Sequence, residues 1–183
     1  MVDRLIDEIV DFWFDEAMKP YWFRKSASFD RAVADTLGPH YEAAARGAYD
    51  HWTEDVDGCI ALCVLLDQVP RNMFRDDPRA FATDDKARGV SDHAVANGFD
   101  LECTTDERIF LYLPFEHHED MASQDRSVAL FTERVGDETT VRYAQRHREI
   151  IERFGRFPHR NAVLGRPSTP DEDAFLNEPD SSF

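Results

Sequence analysis

Apolar residues recur along this chain at helical rather than strand spacing. Leu5, Ile9, Phe12 and Trp13 follow the i, i+4, i+7, i+8 stripe of an amphipathic helix. A second helix is predicted over 28–46, bent or interrupted at Gly38-Pro39, with Gly47 suited to its C-terminal cap. Residues 59–66, preceded by Asp57, are apolar on every side and predict a buried central helix. Asp77 followed by Pro78 reads as a cap and first helical position, and Asn97-Gly98 closes that helix. Thr104 and Glu107 have the spacing of a capping box for a helix through Phe110 and Leu113. Val128 and Phe131 belong to a further helix, and 139–154 to another, stopped by Gly155. Thr169, Pro170 and Glu172 open a last short one. No segment alternates as a strand does. The pattern predicts an all-α domain over 1–176, with about seven to eight helices in antiparallel helical hairpins, and a disordered tail over 177–183.

Composition narrows what such a domain does. The formal net charge of -16 repels phosphate backbones and anionic lipid, so neither nucleic acid nor a membrane is an expected partner. No run of apolar residues is long enough to span a bilayer. Asp3, Asp7 and Asp11 stand where a signal peptide needs a basic start, so a cytoplasmic location is expected. Cys59 and Cys63 lie one helical turn apart in the apolar run, and Cys103 makes the count odd; buried thiols are expected rather than a disulfide or a zinc site. Lys19, Lys25 and Lys86 are the only lysines, which suits either an ordinary acidic surface or one adapted to high salt.

Against that charge, residues 142–166 hold seven arginines and two acids, a +5 island in a chain whose remainder sums to -21. Arg156, Arg160 and Arg166 fall in a Gly/Pro-bounded turn with His159 and Asn161. The guanidinium fork binds carboxylates and phosphates in pairs of hydrogen bonds, so the island suggests either an anion site or a buried ion-pair network. On the preceding helix His147 shares a face with Ile150, Ile151 and Phe154 and is expected to point inward.

Two further constellations complement it. Asp67, Gln68, Arg71 and Asn72 end the most apolar helix, where an aspartate meets the negative end of the dipole and needs a compensating partner such as Arg71. After Pro114, which removes a backbone donor, come Glu116, His117, His118, Glu119 and Asp120; if helix resumes there, Glu116, Asp120 and Gln124 share one face. Histidines beside carboxylates suit acid–base work near neutral pH. They also suit a metal drawn from Glu116, His117, Glu119, Asp120 and His147. However, neither Glu-x-x-His nor His-Glu-x-x-His occurs, and no metal or cofactor is expected. Gly-rich phosphate loops, nucleophile elbows and dinucleotide fingerprints are missing too.

Five segments in order, 11–14, 66–72, 80–84, 110–120 and 154–166, make the chain resemble the domain-of-unknown-function 924 family along nearly its whole length. The resemblance implies a tetratricopeptide-like α-helical fold and brings no activity with it.

The expected function is binding of, or action on, a small anionic molecule in a pocket of Arg, His and carboxylate side chains. Arg71 and Arg160 would hold the anion, His117 or His159 would move a proton, and Glu116 or Asp67 would orient it. Asp67, Gln68, Asn72, Glu119, Asp120, Gln124, His147, Arg156, Asn161 and Arg166 would complete the lining. The alternative is a tetratricopeptide-like module without catalysis that clamps a peptide carboxylate.

Overall fold

The computed structural model describes residues 4–179 and 181, and among these every regular element is helical. The all-α expectation holds. The chain divides into two compact units, Met1–Arg75 with Arg79–Pro114, and Asp76–Pro78 with Phe115–Phe183.

The first unit is built on helices α1 (Arg4–Phe14), α2 (Ala27–Ala45), α3 (Val56–Cys63), α4 (Val69–Met73) and α5 (Asp84–Ala96). Helix α2 packs against α4, and α3 against α1 and α5. The buried stripe of α1 is Ile6, Ile9 and Trp13, with Leu5 beside it rather than in it. Ser26 caps α2 by accepting from the Phe29 N–H, and the helix runs unbroken through Gly38-Pro39. Its buried face, Phe29, Val33, Leu37, Tyr41 and Ala44, lies on both sides of the proline, and that burial outweighs the one lost backbone bond.

Helix α3 starts one turn under Trp52, with the Asp55 carboxylate, not Asp57, accepting from the Gly58 N–H at 2.9 Å. It continues without a break into a π-helical turn, Val64–Gln68, and then α4, so residues 58–70 form one buried run. All three cysteines are free and buried, and burial pushes the Cys59 and Cys103 thiols up to about 12. A thiol so hard to ionise is a core residue, not a nucleophile.

The helix expected from Asp77-Pro78 begins later. Asp76 adopts a left-handed φ of 60°, Pro78–Phe81 close a separate 3-10 turn, and α5 opens at Asp84. The capping box of Thr104 and Glu107 forms as expected, with Thr104 N–H donating to Glu107 Oε2 at 2.7 Å. It opens α6 (Thr105–Glu116), within which the boundary between the units falls after Pro114.

The second unit holds α7 (Met121–Leu130), α8 (Glu138–Phe154) and α9 (Pro170–Leu176), with α7 packed on α8. Its core is Ile150, Ile151, Phe157 and Phe175, flanked by Met121, Phe154 and Leu176. Gly155 ends α8 at a φ of 69°, where a side chain would be strained. Thr169 and Glu172 form the predicted capping box of α9. Of the tail, residues 180, 182 and 183 lie outside the described ones, and Ser181 donates to the Leu176 carbonyl.

Candidate functional site

Helix α6 does not resume beyond Glu116; four residues intervene before α7. A stopped helix leaves carbonyls without partners. Two side chains, both expected in the site, take them up. Gln124 Nε2 donates to the carbonyls of Glu116 at 2.7 Å and His118 at 2.8 Å, and Arg160 Nη2 to that of His117 at 2.9 Å. Asp120 is therefore the N-cap of α7, accepting from the backbone and hydroxyl of Ser123 at 2.9 and 2.7 Å, and it does not share a helix face with Glu116. Burial alone would raise its pKa; Ser123 and His118, whose Nδ1 meets the same carboxylate, bring it below the ordinary range.

Around this turn lies a cluster of ionisable groups. Glu116 and His147 are buried, with Glu116 Oε1 3.2 Å from His147 Nδ1. That contact is not an ion pair. Burial, His117, Arg160 and His159 together push the His147 pKa down to about 3, so the ring is neutral at physiological pH. Its Nδ1 proton goes to the Tyr143 carbonyl, 2.8 Å away. The His117 ring centroid stands 6.2 Å from that of His147; Phe157 lies edge-on to His147 at 5.5 Å and 5.7 Å from His159. Arg160, itself buried, rests its guanidinium over the Phe157 ring at 4.6 Å. His117 and His159 are partly exposed, whereas Glu116, His147 and Arg160 lie beneath the surface.

Most of the rest of the arginine island is ion-paired. Arg166 grips Glu119 with two bonds, 2.6 and 2.9 Å, and also donates to the Asn161 amide oxygen and the Phe157 carbonyl. Glu119 accepts the Phe157 N–H as well; burial would raise its pKa, but these partners hold it below the ordinary carboxylate range. Asn161 Nδ2 donates to Ser168 Oγ. Arg156 binds Glu172 at 2.7 and 2.8 Å, and this pairing sets the Glu172 pKa to about 2. Arg148 pairs with Asp125 and Glu152. An open depression of about 420 Å³, lined by Arg153, Phe154, Arg156, Thr169, Asp171 and Glu172, lies on this ion-paired side and not at the histidines.

Asp67, Gln68, Arg71 and Asn72 belong to the first unit and form a network there. Arg71 makes two bonds to Asp84, at 2.8 and 3.0 Å, and approaches Asp67 Oδ1 at 3.3 Å. Gln68 Nε2 donates to Asp67 Oδ2 at 2.7 Å. Asn72 donates to Asp30, which Arg75 also grips. Burial works against the Arg71 charge, yet Asp67 and Asp84 keep its pKa above the ordinary arginine value. The π turn is sealed as well. Pro70 offers no N–H to the Leu66 carbonyl, and the Thr83 hydroxyl supplies one at 2.5 Å. Arg71 Nη1 covers the Asp67 carbonyl at 2.7 Å.

Asp84, Thr83 and Phe157 were not among the expected site residues. The first two lie in, and the last within, segments that carry the family resemblance, which is the signal that marked them.

A family model described as a bacterial protein of unknown function, DUF924, matches residues 9–180. The chain belongs to this family. A structure of a protein of unknown function from Agrobacterium tumefaciens, ATU0120, superposes with a TM-score of 0.90 at 43% sequence identity, over 95% of this chain and 97% of that one. No curated protein matches significantly. Among the described residues no helix is long and apolar enough to cross a membrane, and no group of three or more His, Cys, Asp or Glu side chains is arranged to hold a metal ion.

Proposed function

We propose that the second unit binds a small anionic molecule at the cluster of Glu116, His117, His147, His159 and Arg160, and that one of the partly exposed histidines exchanges a proton with it. The observation that carries this reading is the company His147 keeps. Burial first, and then the nearby His117, Arg160 and His159, drive this imidazole neutral beside the buried Glu116 carboxylate. A buried titratable group displaced this far by burial and named neighbours is a feature that functional sites share. Glu119 is gripped by Arg166 and the Phe157 N–H, and Glu172 by Arg156.

In this reading Arg160 offers the planar fork suited to a carboxylate or phosphate. His117 and His159, nearer the surface, are the acid–base candidates, and Glu116 orients the neutral His147. Native mass spectrometry of freshly purified protein tests it. A bound anionic metabolite should be present, and His117→Gln or His159→Gln should remove it with a change in Tm within about 3 °C. Absence of any adduct, together with a large loss of Tm in both variants, would defeat the proposal.

A further inference from the structure

The Gln124 side chain is held in one orientation. Its Nε2 faces three carbonyls, those of Phe115, Glu116 and His118, at 3.4, 2.7 and 2.8 Å. Turning the amide over would set an oxygen against three oxygens, so Oε1 must point the other way. That oxygen is buried and meets no donor among the described residues. One turn further along α7, the Ser127 hydroxyl is also fully buried and also has no hydrogen-bond partner among them. A buried helical serine usually donates to the carbonyl four residues back; Ser127 does not.

These two groups stand at i and i+3, where Cβ atoms are about 5–6 Å apart on one helix face. Helix α7 packs on α8, whose buried side chains are Ala144, His147, Ile150 and Ile151. Three are hydrocarbon, and the His147 Nδ1 proton is already given to the Tyr143 carbonyl. An acceptor and a hydroxyl one helical turn apart thus share a helix face, and neither has a hydrogen-bond partner among the described residues.

We infer that one ordered internal water bridges Gln124 Oε1 and Ser127 Oγ, donating to the amide oxygen and exchanging a second bond with the hydroxyl. Two hydrogen bonds of about 2.8 Å match the about 5–6 Å between Cβ atoms at i and i+3, and buried waters serve groups of this kind. The water completes the hydrogen bonding of Gln124, and through it steadies the turn from Glu116 to His118. The inference does not depend on the anion proposal: it concerns the scaffold under the turn and holds whether or not a ligand binds.

A crystal structure of the full chain at a resolution that shows ordered solvent tests it directly. One fully buried water within about 3.2 Å of both atoms is expected. In Ser127→Ala its density should vanish or weaken, and Tm should fall by roughly 4 °C. A wild-type structure with no water there, or with Ser127 donating to the Ser123 carbonyl, overturns the inference. So does a Ser127→Ala protein that melts at or above the wild-type temperature, since a hydroxyl with nothing bound to it costs nothing to remove.

Discussion

Two proline-bearing helices, one in the first unit and α6 at the boundary between the units, are interrupted, and the two interruptions are finished differently. In the first, Val64–Gln68 widen into a π turn, and Thr83 and Arg71 donate to the carbonyls of Leu66 and Asp67. In the second, α6 stops at Glu116, and Gln124 and Arg160 donate to the carbonyls of residues 116–118. Both solutions use side chains to replace lost backbone donors. The charges beside them separate the two cases. Arg71 sits between two carboxylates, whereas Arg160 stacks on Phe157 near His147, which burial above all keeps neutral. The first arrangement closes on itself as an ion-pair network. The second sets a neutral buried histidine beside the Glu116 carboxylate, with Arg160 nearby, and the proposed anion site rests on that arrangement.

If that contrast is right, substitutions in the first unit should cost mainly stability. The largest effect is expected from Arg71→Met, which strands Asp67 in the core and uncovers a carbonyl. Removing one partner of a buried pair typically costs about 3–5 kcal/mol. Chemical denaturation would measure it; a loss under about 1 kcal/mol would show that the network is not what holds this helix end.

The next test is pH. The His147 pKa is lowered to about 3 from the 6.5 of an unperturbed imidazole. The unfolded chain therefore binds a proton that the folded one refuses, and stability is full above pH 6.5 and lost as pH falls toward 3. Across the upper part of that window, down to about pH 4.5, the loss should be roughly 2–3 kcal/mol. Carboxylates with lowered pKa, such as Glu172 at about 2, act below their unfolded value of 4.5, so they do not mask it. His147→Gln should flatten the window between pH 6.5 and 4.5. An unchanged slope would mean that His147 is not held neutral.

A smaller effect separates sealing from charge. Thr83→Val keeps the shape of the side chain and removes the bond to the Leu66 carbonyl. A buried acceptor left alone costs about 1–3 kcal/mol, so a loss near the lower end is expected by thermal or urea denaturation. No loss would imply that the carbonyl released by Pro70 has another donor.

How far these features can be read without a structure depends on how local their causes are. The boxes at Thr104/Glu107 and Thr169/Glu172, the stop at Gly155 and the inward face of His147 each follow from residues within a turn of one another, and all are found as expected. The Asp67–Arg71 contact is also of this kind. What failed to show was set by distant partners. Helix after Pro114 is ended by Gln124 and Arg160, the latter 43 residues from the carbonyl it binds. Arg166 is taken by Glu119, 47 residues away, and Arg156 by Glu172, 16 away. A charge island read along the chain thus looks like a site, although most of its members are neutralised in space. The Thr83 hydroxyl just before α5 is likewise turned to a distant partner, the Leu66 carbonyl.

The smallest expected effect on stability is the most informative about function. His117 and His159 are partly exposed, and their rings meet the cluster at a tilt rather than filling the core. Replacing either with glutamine should cost less than about 1 kcal/mol, as surface substitutions do. Arg160 is a poor probe by contrast, because it is buried, stacks on Phe157 and caps a carbonyl, so its removal damages the turn whatever binds there. The histidine variants leave those contacts in place. If they keep their Tm yet lose a co-purifying anion, the second interruption is a site and the first is scaffold. If instead they melt as far below wild type as Arg71→Met does, the imidazoles are part of the structural network, and the distinction between the two units disappears.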